Sequence, residues 1–123
     1  MNSTNAETGK NYEKNAADYL KKSGFKIIEM NYLLPPVGEI DIIAKDKKTF
    51  VFVEVKFRKN KNFGSPCEFV NKSKQLKITK TALHYIKKNK IKNDIRFDVI
   101  SICGEVMEHI KNAFCINDKN FYF

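Results

Sequence analysis

Two apolar runs constrain this chain more than any other stretch: Gly38-Glu39-Ile40-Asp41-Ile42-Ile43-Ala44 and Phe50-Val51-Phe52-Val53-Glu54-Val55-Lys56. Each has the length and β-branched, aromatic character of a buried strand. Only Asp46-Lys47-Lys48 breaks the polarity between them, so the pair reads as a hairpin. In an antiparallel pair, the numbers of opposite residues have a constant sum. A two-residue turn at Lys47-Lys48 sets that sum at 95. Asp41 then falls opposite Glu54, and Glu39 opposite Lys56, with Cβ atoms about 4.5–5.5 Å apart. Lys56 follows Glu54 by two residues and shares its face. Lys-Lys is poor chemistry for the favoured primed turns, and a longer loop or a bulge would shift the register by one and separate the faces.

An Asp and a Glu side by side in a strand interior repel each other and resist desolvation. Such a pair is tolerated where a cation binds, and a divalent ion, Mg²⁺ or Mn²⁺, suits two hard oxygen donors. The competing reading is a solvated hairpin face with cross-strand ion pairs. The pattern speaks against it. Ile40, Ile42, Val51, Val53 and Val55 make the other face apolar as well, as in strands covered on both sides. Phe50 and Phe52 share the face of Glu54 and Lys56, so that face starts apolar and ends charged, like the edge of a core opening into a cleft.

Around the hairpin, periodicity predicts a helix from Gly9 to Lys22, with Tyr12, Ala16, Tyr19 and Leu20 on its apolar stripe and Ser23-Gly24 as its stop. A strand over Phe25–Leu33 and a loop at Pro35-Pro36 lead into the hairpin. Arg58 to Pro66 forms a basic loop. A second helix is expected over Lys72–Lys88, with Leu76, Leu83 and Ile86 inward and Asn71 as N-cap. Asp94–Cys103 reads as a fourth strand and Glu105–Ile116 as a last strand or extended tail. The order α-β-β-β-α-β-(β) specifies an α/β protein: a single-domain mixed β-sheet flanked by helices. Residues 1–8 are expected to be a flexible N-terminus and 9–123 one domain, a length that supports a proper core.

The formal net charge is +9 and the isoelectric point about 9.5, which points to a polyanionic partner. Lys74, Lys77 and Lys80 recur along one ridge of the second helix, with Lys72 nearby. Arg58, Lys59 and Lys61 leave directly from the strand that carries Glu54, where they can neutralise phosphates. Phe63, in the same loop, can stack on a base, although packing is its commoner fate. Singly, each lysine reads as a solvated surface charge; as a set they read as a nucleic-acid surface. No apolar run reaches membrane-spanning length, and the first residues lack the basic and apolar regions of a signal peptide, so a cytoplasmic protein with no membrane partner is expected. Cys67, Cys103 and Cys115 are too scattered for a zinc site or a disulfide framework, and His84 and His109 read as ordinary surface or core residues. There is no phosphate-cradling Gly-rich loop and no Ser nucleophile elbow.

Gly38-Glu39-Ile40-Asp41 followed by Phe52-Val53-Glu54-Val55-Lys56 resembles the signature of the PD-(D/E)XK, restriction-endonuclease-like nucleases. More narrowly, the chain is similar to the YraN family of small bacterial proteins, related in fold to Holliday-junction resolvases. The likeness spans nearly the whole chain, including Glu13 in the opening helix, Lys74-Gln75 in the second helix and Arg96-Phe97-Asp98-Val99 in the fourth strand. It implies an αβββαβ core in which Asp41, Glu54 and the Val55 carbonyl hold Mg²⁺ or Mn²⁺. Lys56 would orient or activate the attacking water, Glu13 would reach the metal directly or through water, and Gln75 would support Lys56 or contact phosphate. Ile40 stands where the motif's name has Pro, which leaves the ligand set intact. The implied activity is metal-dependent hydrolysis of DNA, branched or structured DNA included, with a homodimer as the arrangement that sets two sites on opposite strands. The alternative is a non-cleaving nucleic-acid-binding or partner-dependent module on the same fold.

Overall fold

The structure, a computed structural model, describes residues 5–58 and 70–115, with side chains described from residue 11 onward. It contains a helix α1 (Asn5–Lys22), strands β1 (Lys26–Leu34), β2 (Gly38–Asp46) and β3 (Thr49–Phe57), a helix α2 (Lys72–Lys88), and strands β4 (Ile95–Cys103) and β5 (Val106–Phe114). The five strands form one mixed sheet in the order β1-β2-β3-β4-β5. All neighbours are antiparallel except β3 and β4, which run parallel because α2 carries the chain back between them. This is the expected α/β architecture and is consistent with a restriction-endonuclease-like core. The opening helix begins at Asn5 rather than Gly9, and the tail after Glu105 is a true strand.

One helix covers each face. Ala16, Ala17 and Leu20 of α1 pack on Ile42, Ala44, Val51, Val53, Ile100 and Ile102. Ile78, Ala82 and Tyr85 of α2 pack on Tyr32, Ile40, Ile43, Phe52, Phe97 and Val99. The inward side of α2 therefore centres on Ile78, Ala82 and Tyr85, with Thr79 and Thr81 also buried, whereas Leu76, Leu83 and Ile86 sit at its margins. The two threonines lie inside because each hydroxyl donates to the carbonyl one turn back, Gln75 and Lys77 respectively. Asn71 caps α2 as expected, its side chain accepting the Lys74 N–H at 2.9 Å. Helix α1 closes at Gly24, whose φ of 95° suits a residue without a side chain.

The hairpin has the predicted turn and register. Lys47 and Lys48 form the turn, with Lys47 at φ 57°, and the pairs run from Asp46↔Thr49 to Ile42↔Val53. Past Ile42↔Val53 the ladder stops: β2 stays paired to β1 as far as Gly38, and β3 to β4 as far as Phe57. The sheet thus opens into a notch at the point where Asp41 and Glu54 would have faced each other.

A second irregularity lies at the same level. Met30 and Ile42 pair and face α1, while Tyr32 and Ile40, two residues away, pair and face α2. Regular strands keep alternate residues on one face. Here both strands reverse together, with Asn31 in the left-handed region at φ 54° and Asp41 across from it, without a net slip in pairing. Ile40 and Ile42 therefore serve opposite cores instead of one shared face.

Candidate active site

The notch between β2 and β3 is the floor of a cleft of about 350 Å³ lined by Tyr12, Glu13, Gly38, Glu39, Asp41, Glu54, Val55, Phe57, Lys74 and Lys77. Asp41 and Glu54 are nearly buried, 6% and 5% exposed. With the backbone ladder ended, the Asp41 carboxylate takes its place: Oδ2 accepts the Val55 N–H at 2.8 Å. The Glu54 Oε1 meets the Lys74 Nζ of α2 at 2.6 Å. Gly38 lets α2 approach β2 closely, since a Cβ there would lie 3.1 Å from the Thr81 hydroxyl and 3.4 Å from Lys77 Cβ.

Electrostatics mark Asp41 as the most strained group. Burial, then the neighbouring Glu54, push its carboxyl from the ordinary 3.8 up to about 8; the single Val55 N–H offsets only part of this. Glu13 is also raised, by burial and by Glu39 and Glu54, while bonds to Asn31 and Asp41 act the other way. A hydrogen bond between two carboxyls requires one of them to hold a proton. Lys56 is half-buried; burial and the adjacent Lys74 hold its amine below the usual lysine range, against the pull of Glu54 and Asp41. For Lys74, burial acts downward, but the bond to Glu54 outweighs it and its pKa is raised.

These contacts bring together Glu13, Asp41, Glu54 and Lys56, with Val55 in the lining. Other expected residues stand elsewhere. Gln75 donates from Nε2 to the Val70 carbonyl at 2.7 Å and braces the return of the chain into α2; the α2 side chain against Lys56 is Lys74. Lys74 thus lines the α2 wall of the cleft, against Glu54, rather than an outer ridge. Lys77 lines the rim, whereas Lys80 lies in a separate apolar groove with Leu34, Val37, Leu83, His84 and Lys87. Arg58 is 7% exposed and reaches Glu108 on β5 at 3.5 Å, so it joins elements of the fold and does not face solvent. Lys72 is exposed at the start of α2. Lys59, Lys61 and Phe63 lie outside the described residues.

A divalent metal fits the chemistry of this floor. Burial and the neighbouring Glu54 raise the Asp41 carboxyl, and two hard oxygen donors in such a setting suit a shared divalent cation. Asp41 and Glu54 would hold it, with the Val55 carbonyl as a third donor. Among the described residues, no three His, Cys, Asp or Glu side chains form a group spaced to hold a metal ion, Glu13 with Asp41 and Glu54 included.

The sequence reading missed a second polar cluster. Asp98, wholly buried on β4, accepts from Arg96 Nε and Nη2 at 2.8 and 2.9 Å and from the Asn112 N–H at 2.9 Å. His109 Nε2 lies 2.8 Å from its Oδ2, and the Tyr19 hydroxyl lies 3.1 Å from His109 Nδ1. Burial alone would raise the Asp98 pKa, but the His109, Arg96 and Asn112 bonds hold it below the ordinary range. This network ties β5 to β4 and α1. Arg96 and Asp98, two apart on one strand face, were the signal available in sequence.

The profile of "Uncharacterised protein family UPF0102" matches residues 12–102. A UPF0102 protein of Thermodesulfovibrio yellowstonii is 51% identical over 108 residues, covering 88% of this chain and 96% of the relative. One from Clostridioides difficile is 50% identical over 113 residues, covering 89% and 98%. Another, from Clostridium botulinum, is 47% identical over 124 residues, covering 94% of this chain and the whole relative. The names of these relatives state no activity.

Proposed function

The chain belongs to the UPF0102 (YraN) family, and from that premise and the geometry of the cleft we propose that it is a metal-dependent endonuclease that hydrolyses phosphodiester bonds in DNA. The observation that carries this reading is the buried Asp41–Glu54 pair at the notch, with the amines of Lys56 and Lys74 beside it. A protein that only holds nucleic acid has no use for two buried carboxylates facing a phosphate. Mg²⁺ or Mn²⁺ at Asp41 and Glu54 supplies charge neutralisation at the phosphate and a more acidic water. Lys56, its proton affinity reduced by burial and by Lys74, is suited to orient the attacking water and exchange a proton with it. Lys74 and Lys77 place positive charge along the α2 wall, where the phosphate's negative charge grows in the transition state. Glu13, bonded to Asp41, aligns that carboxylate from the α1 side.

One observation favours a second reading, a nucleic-acid-binding module that does not cut. Glu54 already has a cation, Lys74, so half of the acid pair is neutralised from within. Cleavage of labelled linear duplex, single strand, flap and four-way junction with Mg²⁺ or Mn²⁺, beside an EDTA control, separates the two. Glu54→Ala is expected to abolish cutting and leave DNA binding largely intact. Cutting by Glu54→Ala at the rate of the unaltered chain refutes the site, and salt-sensitive binding without cutting by any preparation supports the module.

A further inference from the structure

The two walls of the cleft differ in kind. The α2 wall is cationic, with Lys74 and Lys77. The α1 wall is aromatic: Tyr12 and Phe57 stack with ring centroids 4.5 Å apart and planes within 13°. Phe57 is the last residue of β3, next to Lys56 and three past Glu54. It remains 45% exposed even though one face lies on Tyr12. An aromatic ring needed only as core filling would be covered, as Phe52 and Phe97 are at 1% and 2% exposed; Phe50, at the other end of β3, is partly buried against the α2 core. A half-exposed ring on a stacked support, at the edge of an acidic floor and opposite a cationic wall, has the features of a base-stacking platform.

We propose that the Tyr12–Phe57 step receives an unpaired nucleobase adjoining the phosphate held in the cleft. This rests on the reading of the cleft as a nucleic-acid site and deepens it. A base inside a continuous duplex has both faces covered by its neighbours, so it must leave the stack to lie on Phe57. The substrate class is therefore nucleic acid with an unstacked nucleotide at the cut: a single strand, a flap, a gap or the arm of a branch. Intact linear duplex is disfavoured because it must first be opened. The floor and the α2 wall address the phosphate, which every sequence shares, and the aromatic step addresses a base face, which every base has. Selection in this cleft is accordingly for structure and not for sequence.

The test uses binding in EDTA, where no cutting contributes. The chain contains no Trp, so Phe57→Trp introduces its sole indole at the step. A dodecamer of dT is expected to quench that emission, whereas a dodecamer with the same phosphates and abasic sugars, or a blunt duplex, leaves it unchanged. Phe57→Leu, which keeps an apolar side chain on the strand, is expected to weaken the dT dodecamer by about 5- to 150-fold, the worth of one base on an aromatic ring. The abasic dodecamer is expected to bind Phe57→Leu and the unaltered chain equally. Equal quenching by both single strands, no quenching by either, or an equal loss of both in Phe57→Leu overturns the proposal. Cleavage of the unaltered chain is assayed separately with Mg²⁺. Base-dependent quenching without any cutting would keep the platform and refute the nuclease; cutting without quenching would do the reverse.

Discussion

Replacing Asp41 by Asn should stabilise the fold while removing its proposed chemistry. The carboxyl is 6% exposed and accepts one backbone N–H, from Val55; Glu54, Glu13 and Glu39 surround it. In the folded chain it titrates near 8, against an ordinary 3.8. Between those values the native state holds a proton that the unfolded state has released, so unfolding is favoured progressively as pH rises. At about 1.4 kcal/mol per pH unit, the interval sets a ceiling of about 5–6 kcal/mol lost by pH 8. Lys74 shares the charge of Glu54, and an amide keeps the Val55 bond but not the optimal geometry, which together reduce the expected net gain to about 2–3 kcal/mol at pH 8. That corresponds to a Tm increase on the order of 10 °C for a domain of this size. The assay is urea and thermal unfolding followed by far-ultraviolet circular dichroism in EDTA, from pH 5 to pH 8.5, for both chains. The difference between them should be small at pH 5 and widen with pH. An Asp41→Asn chain that is less stable at pH 8, or a difference that stays flat with pH, would refute the reasoning. Loss of stability retained for a functional group is the familiar trade-off of an active site.

Asp98 should behave in the opposite way. Asp98→Ala leaves Arg96 and His109 without their shared acceptor and is expected to cost about 3–5 kcal/mol in urea unfolding. Because Asp98 titrates below the ordinary range, its contribution is complete above that range and disappears as pH falls through the folded value; a mutant deficit that persists undiminished in strong acid would contradict this. Gly38→Ala puts a methyl group 3.1 Å from the Thr81 hydroxyl, so a loss of about 1 kcal/mol is expected in thermal unfolding, and an unchanged Tm would show that α2 yields freely. Lys74→Gln takes the internal cation from Glu54, so added Mg²⁺ should raise its Tm more than that of the unaltered chain; equal shifts would mean that Lys74 does not compete with the metal.

The hairpin register was legible because a two-residue turn leaves only one sum for opposite residues. The acids were legible because each interrupts a run that is otherwise apolar. What sequence did not disclose depends on backbone angles or distant partners. The face reversal at Asn31 and Asp41 breaks the period of two, and the rule that put Ile40 and Ile42 together presumes that period. Gln75 and Lys74 differ by about 100° around a helix, and the phase of α2 was taken from Leu76, Leu83 and Ile86, which lie at the margins of its buried side. Arg58 looked like a phosphate contact because its partner, Glu108, is 50 residues away on a strand read only as a strand or an extended tail. Asp98 stood out only as part of Arg96-Phe97-Asp98-Val99, and its network was not legible because its His and Asn partners come from β5.

The notch has a mechanical consequence. Beyond Ile42↔Val53, among the described residues, β2 is strand-paired only to β1 and β3 only to β4, so the sheet ends there as two jaws sharing one joint. Among the described bonds, the jaws touch through a side chain on a backbone amide, Asp41 on Val55, while Glu54 is tied to α2 by a lysine. Neither bond fixes the gap as a ladder would, because both end in side chains that can rotate. The proposed cation, held between the jaws, would meet donors on side chains rather than in a rigid cage, and compliant oxygen donors accept ions of differing radius more readily. On the proposed function, discrimination in this cleft would fall on charge and on the shape of the polymer, with ion size a lesser criterion.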